Sequence, residues 1–164
     1  DKVCTMLVDY LKMQVAAGAQ ALQIFDSWVG CLSPSDYEKY ILPYSKRVFD
    51  CLKDVGVPVI NFSTGTSTML DLVQKAGGDV LSFDWRIEID SARTILGNNQ
   101  PVQGNLDPVT LFAPLPVIQD RVHDILKRAG KRGHIFNLGH GILQHTPVEH
   151  VKAVVDMVHE YKYE

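Results

Sequence analysis

Five short apolar runs, rich in β-branched residues, each end abruptly in polar or glycine-containing sequence. This repetition constrains the fold more than any other feature. The runs cover residues 21–25, 57–62, 79–83, 101–102 and 134–138. Segments with helical apolar spacing separate them. Strands that alternate with helices favour a parallel sheet, and parallel sheets collect their functional groups at the carboxyl ends of the strands. We therefore expect the polar segments to contribute to one shared site.

The composition is typical of a globular protein: 164 residues, 46% hydrophobic, 21% charged, with a net charge of -3. Scattered basic residues, slightly outnumbered by acids, argue against a nucleic-acid surface. No run approaches the roughly 18 apolar residues of a membrane span, and no signal-peptide pattern opens the chain, so a cytoplasmic protein is expected. Cys4, Cys31 and Cys51 have no CxxC spacing and predict free thiols in a reducing compartment.

Capping residues and prolines mark the predicted helix boundaries. Residues 33–36, Ser-Pro-Ser-Asp, offer an N-cap with proline at the first helical position. Pro43 is expected to kink or break the helix that follows. The last helix is predicted to begin with a capping box at residues 146–149, Thr-Pro-Val-Glu. Its buried side is expected to carry Val148, Val151, Val155 and Val158.

The predicted order of elements is α-β-α-β-α-β-α-β-α-β-α. This order fits an open doubly wound sheet, and it also fits part of a (β/α)8 barrel. A complete barrel needs eight strands and typically about 250 residues, so three strands would be missing. Helical periodicity starts almost at once after Asp1, which suggests the later part of a longer chain.

The sequence Gly139-His140-Gly141 follows the last strand. Glycines beside a histidine let the backbone approach a ligand and leave amide groups available to an anion. Loops after the last strands of barrels commonly hold anionic groups, which favours a binding role for His140 over a solvent-exposed turn. The segment is not a dinucleotide fingerprint, because Gln144 stands where glycine is required. The spacing of His140, His145 and His150 gives only a weak zinc signal.

The other strand ends leave alternatives open. Ser27 could donate a hydrogen bond to a carboxylate or cap a local turn. Asp84 could act as an acid–base group or accept backbone N–H bonds at a barrel rim. Asn105 and Asp107 are expected to order the loop after the fourth strand rather than touch a substrate.

Taken together, the strand ends resemble those of uroporphyrinogen decarboxylase. The resemblance rests on residues 25–28, 83–85, 103–108 and 134–141, and the tail at 147–161 is similar to the family's closing helix. It implies the C-terminal five βα units of a (β/α)8 TIM barrel, incomplete here, with residues 1–164 as the C-terminal portion of a single barrel domain. Residues 61–67 and the residues after Gly141 depart from the commoner family pattern.

The resemblance also implies an activity. The family removes the four acetate carboxyls of uroporphyrinogen III, giving coproporphyrinogen III in haem biosynthesis, without cofactor or metal and usually as a homodimer. Ser27 and His140 would contact substrate carboxylates, and Phe25 would pack against the macrocycle. No catalytic residue is assigned, because the family's central aspartate and paired arginines lie in an earlier part of the barrel. The fragment alone is therefore expected to be inactive.

Two alternatives remain open at this point. A zinc- and corrinoid-dependent methyltransferase of the same superfamily would bind zinc through a His-x-Cys pair and a later cysteine. The sequence has no such pair, and His140 stands where a cysteine ligand would be expected. A non-catalytic half-barrel could bind a tetrapyrrole or a protein partner instead. Its unpaired strand edges and apolar surface would favour a homo-oligomer.

Overall fold

The computed structural model describes residues 1–163 and divides the chain into two compact units. The first is Asp1–Ser82, and the second begins at Phe83. The first unit contains α1 (Lys2–Ala16), β1 (Leu22–Asp26), α2 (Pro34–Asp36), α3 (Leu42–Leu52), β2 (Val59–Ser63), α4 (Leu70–Ala76) and β3 (Val80–Ser82). The second contains α5 (Ile89–Leu96), β4 (Val102–Leu106), α6 (Leu115–Ala129), β5 (His134–Leu138) and α7 (Val148–Glu160). Five strands alternate with helices, as predicted.

The strands of the first unit are parallel. Leu22 of β1 lies opposite Val59 of β2, and Ile60 of β2 lies opposite Val80 of β3. One core cluster joins α1, α3 and α4 to β1 and β2: Cys4, Val8, Leu11, Leu22, Val48, Phe49, Leu52, Val59 and Ala76. Full burial of one larger aliphatic or aromatic side chain contributes about 1.5–3 kcal/mol, so this cluster is a main source of the unit's stability.

The helical segment after Ser33 is interrupted, as its proline predicts. Ser33 caps α2, because its Oγ accepts a hydrogen bond from the amide three residues later at 3.2 Å. A π-helical turn at Tyr37–Ile41 then separates α2 from α3, and Pro43 lies in the first turn of α3. Tyr40 and Tyr44 in this segment are exposed.

The second unit is built on two parallel strands and three helices. Val102 of β4 lies opposite His134 of β5, and Leu106 lies opposite Leu138. The core of the unit contains Leu106, Leu111, Ile118, Val122, Leu126 and Val154. Helix α6 ends at Gly130, whose φ of +75° is readily adopted only by glycine.

The start of α7 differs from the prediction. The helix begins at Val148 with Pro147 at the N-cap, and no side chain caps it. The hydroxyl of Thr146 instead donates to the carbonyl oxygen of Leu143 at 2.8 Å, so the predicted capping box is wrong. The inward face also differs: Val154 is buried, Val151 and Val158 pack on the core, and Val148 and Val155 are exposed. Helical spacing of three and four residues places 151, 154 and 158 on one face.

Two further findings concern the composition of the chain. Cys4 is buried, Cys31 and Cys51 are exposed, and all three are free thiols, as their spacing predicts. Within residues 1–163, no helix combines the length and apolar character that a membrane crossing requires.

Candidate functional site

Phe25 and Ser27 lie together at the carboxyl end of β1. Phe25 is 67% exposed, and its ring packs edge-on against Phe62, its register partner on β2, with 5.3 Å between ring centroids. An exposed aromatic ring at a strand end offers apolar surface to a flat ligand. Ser27 follows the strand directly and is half-buried. Trp28 beside it is 85% exposed.

The loop that carries Ser27 is held by the loop after β2. Thr64 Oγ1 donates a hydrogen bond to the carbonyl oxygen of Ser27 at 2.6 Å. Gly30 approaches the same segment closely, because a Cβ built on it would lie 2.3 Å from the carbonyl oxygen of Thr64. Only glycine fits such an approach without a shift of the backbone. The backbone around Ser27 is therefore tied to its neighbouring strand end.

A cavity of about 200 Å³ opens beside β1, and its lining includes the titratable side chains of Asp26 and Tyr37. Burial raises the pKa of Asp26, and hydrogen bonds from the backbone N–H groups of Val29 and Trp28 oppose that shift. Burial, reinforced by the charge of Asp26, raises the pKa of Tyr37 to about 12. The described residues that line this cavity are mostly apolar and include no lysine or arginine. The cavity therefore lacks the cations that hold carboxylates.

His140 lies in the second unit, exposed, on the loop that follows β5. The preceding Gly139 is buried, and its N–H donates to the carbonyl oxygen of Leu106 at 2.7 Å. A Cβ on Gly139 would lie 2.9 Å from Asp84 Cα and equally close to the backbone and ring of Trp85. Glycine is thus required at position 139 because the backbone there lies close to the protein's own loop after β3. That contact fixes the start of the segment that carries His140.

Asp84 lies two residues after the end of β3 and is 2% exposed. Its carboxylate accepts the backbone N–H of Arg86 at 3.0 Å and also pairs with the Arg86 guanidinium. The guanidinium lies over the Trp85 ring, 4.7 Å from its centroid. Of the two roles left open by the sequence, acceptance of backbone N–H is the one observed. Sequence reasoning missed Arg86, whose only local signal is its place two residues after Asp84.

Asp107 orders the loop after β4, as predicted for it and for Asn105, whereas Asn105 hydrogen-bonds to a different loop. Asn105 is buried, and its Nδ2 donates to the carbonyl oxygens of Asp84 at 3.1 Å and Ile87 at 2.6 Å. Asp107 accepts the backbone N–H of Val109 at 2.9 Å and so caps a short 3₁₀ turn. Asn105 orders the loop after β3 rather than its own loop, which only the tertiary structure reveals. Within residues 1–163, no three His, Cys, Asp or Glu side chains form a group that could hold a metal ion.

Comparison with solved structures supports the class of fold. A methyltransferase from Methanosarcina mazei has a similar structure, with a TM-score of 0.83 at 21% sequence identity. The similarity covers 96% of this chain and 47% of that chain, and at this identity it concerns the fold alone. Together with the alternating strands and helices, it confirms the prediction of five βα units of an incomplete (β/α)8 barrel.

Comparison of sequences identifies the family. The uroporphyrinogen decarboxylase (URO-D) family profile matches residues 1–161, and the chain belongs to this family. It is 60% identical over 160 residues to uroporphyrinogen decarboxylase of Carboxydothermus hydrogenoformans, covering 97% of this chain and 46% of that protein. It is 56% identical to uroporphyrinogen decarboxylase of Trichlorobacter lovleyi, covering 97% and 47%. The chain thus spans about half the length of the curated relatives it matches.

Proposed function

We propose that this chain forms part of a cofactor-independent decarboxylase that converts uroporphyrinogen III to coproporphyrinogen III in haem biosynthesis. The observation that carries the proposal is the family match over residues 1–161, with relatives named uroporphyrinogen decarboxylase at 56–60% identity. In this proposal residues 1–164 are the C-terminal portion of one barrel domain, which works in the cytoplasm as a homodimer. The chain alone is inactive, because the residues that act on the pyrrole nitrogens belong to another part of the barrel.

The chain contributes contacts to the substrate in this proposal. Phe25 supplies an exposed ring on which one face of the macrocycle can pack. Ser27 supplies a hydroxyl that makes no hydrogen bond among residues 1–163, so it can donate to a carboxylate. His140 supplies a ring N–H group from an exposed loop position, and it donates to a second carboxylate.

The chemistry divides between substrate and protein. Loss of carbon dioxide leaves an electron pair that needs an acceptor, and the protonated pyrrole of the substrate serves as that acceptor. The protein therefore has to orient the ring and hold its carboxylates. Ser27 and His140 perform the second task. The likeness to a methyltransferase at 21% identity concerns the fold alone, so the family match favours decarboxylation.

The proposal is tested by titrating the chain with uroporphyrin III, the stable oxidised octacarboxylate, and following porphyrin fluorescence. We expect saturable binding, weakened about 10- to 100-fold by Ser27→Ala or His140→Ala, because each removes a hydrogen bond to a charged group. Ser91→Ala and His145→Ala are matched controls at exposed positions and should bind like the wild type. Absence of binding, or equal binding by all four variants, would overturn the proposal.

A further inference from the structure

We propose that Thr64 is a positioning residue for Ser27. Its hydroxyl holds the Ser27 backbone so that the serine hydroxyl is oriented toward a substrate carboxylate. This inference rests on the proposed function, since it concerns how the protein orients the hydroxyl that binds that carboxylate. It also goes beyond it, because Thr64 itself does not touch the substrate.

The hydrogen bond between the two residues is short and partly buried. Thr64 follows the last residue of β2 and is 8% exposed. Its Oγ1 lies 2.6 Å from the carbonyl oxygen of Ser27, at the short end of the range for O–H···O bonds. A carbonyl oxygen can only accept, so the threonine hydroxyl is the donor. In such a poorly solvated place the bond is stronger than it would be in water.

Two other contacts restrain the same loop. Gly30 packs against the backbone after β2, because a Cβ on it would lie 2.3 Å from Thr64 O and 2.6 Å from Gly65 Cα. At the other end of the loop, the Asp26 carboxylate accepts the backbone N–H groups of residues 28 and 29. Between these two contacts, Thr64 holds Ser27, the residue whose side chain is proposed to bind the substrate.

The hydrogen bonds of Ser27 distinguish a positioning role of Thr64 from simple packing of the loop. The backbone carbonyl of Ser27 is fixed by Thr64, whereas its hydroxyl has no partner among the described residues. A free donor on an immobilised backbone is a preorganised binding group, which loses little conformational freedom when a ligand arrives. The Thr64 bond therefore contributes to affinity through Ser27.

The test compares Thr64→Val with Thr64→Ser. Valine keeps the branched shape and removes the hydroxyl, while serine keeps the hydroxyl. We expect Thr64→Val to weaken uroporphyrin III binding about three- to tenfold and to speed amide hydrogen exchange at Trp28 and Val29. Thr64→Ser should restore wild-type values in both measurements. Thermal unfolding of both variants checks that each remains folded.

A double-mutant cycle decides whether Thr64 acts through Ser27. In the Ser27→Ala background, Thr64→Val should cause no further loss of binding. An equal loss in both backgrounds would overturn the inference and leave the proposed function intact. Unchanged exchange at Trp28 and Val29 would overturn it as well. Failure of the wild-type chain to bind uroporphyrin III would instead overturn the proposed function, and with it the substrate role of Thr64.

Discussion

The side-chain amide of Asn105 donates a hydrogen bond to the backbone carbonyl of Asp84, with 3.1 Å between Nδ2 and the oxygen. The same nitrogen donates to the carbonyl of Ile87 at 2.6 Å, and Asn105 is 5% exposed. One side chain at the end of β4 therefore closes the loop that follows β3. That loop contacts Gly139, so Asn105 also supports the segment that carries His140.

Asn105→Ala should lower the free energy of unfolding by about 1–3 kcal/mol, because it leaves two buried carbonyl oxygens without their donor. Urea denaturation measures this loss. The matched control is Asn137→Ala, at the exposed register partner of Asn105 on β5, where the amide oxygen only accepts the N–H of Leu138. The control should stay within about 0.5 kcal/mol of the wild type. Equal losses would show that the buried bonds of Asn105 are unimportant.

Gly139→Ala should destabilise the fold by about 1–3 kcal/mol, because the new methyl group would overlap the backbone of Asp84 and Trp85. Gly141→Ala offers a close comparison, since a Cβ at that position meets nothing within 4 Å. Thermal or urea unfolding of the two variants provides the measurement. A Gly139→Ala protein as stable as the Gly141→Ala protein would contradict the observed packing.

His134 should make stability depend on pH. Burial lowers the pKa of His134, the nearby charge of Arg93 lowers it further, and the hydrogen bond to the carbonyl of Gly104 opposes the shift. The folded protein therefore binds a proton less readily than the unfolded chain, whose histidine titrates near pH 6.5. The contribution of His134 to the free energy of unfolding should be constant above that pH and fall as the pH drops below it.

The variant His134→Gln isolates this effect, because glutamine keeps a donor for Gly104 and does not titrate. Its free energy of unfolding should fall less than that of the wild type as the pH is lowered from 7.5 toward about 5. His145→Gln, at an exposed position, should retain the wild-type slope. Parallel curves for His134→Gln and the wild type would contradict the role of burial.

Asp26 should produce the opposite dependence. Burial raises the pKa of this carboxyl above 3.8, so ionisation is less favourable in the folded state. Its contribution to stability is fully present below pH 3.8 and is lost as the pH rises through the higher folded pKa. Asp26→Asn, which keeps an oxygen acceptor and carries no charge, should gain stability relative to the wild type across that range. Unfolding curves for Asp26→Asn and for the exposed control Asp9→Asn give the measurement. A difference in the free energy of unfolding between Asp26→Asn and the wild type that does not change with pH would contradict this prediction.

Local patterns predicted most of the secondary structure. Strand β5 was predicted at residues 134–138 and lies there, because a β-branched and aromatic run before glycine is a short-range signal. Ser33 and Gly130 mark helix ends through the chemistry of a few adjacent atoms. The capping box predicted at Thr146 does not form, because the Thr146 hydroxyl donates to the carbonyl oxygen of Leu143 in the preceding turn.

The contacts that hold the strand ends could not be predicted in this way. Arg93 is 8% exposed and donates to the carbonyl oxygens of Ala129 and Arg132, thirty-six and thirty-nine residues away. Thr64 and Ser27 are separated by thirty-seven residues. No periodicity, cap or spacing in the sequence links such positions.

The sequence by itself determined the order of strands and helices, most helix ends and the family resemblance. These features depend on the periodic placement of apolar residues and on the backbone conformations that glycine and proline allow. The tertiary structure alone decided that Asn105 closes a distant loop, that burial lowers the pKa of His134, and that Thr64 holds Ser27. Hydrogen bonding and desolvation act between atoms that are close in space, and only the folded chain brings those atoms together.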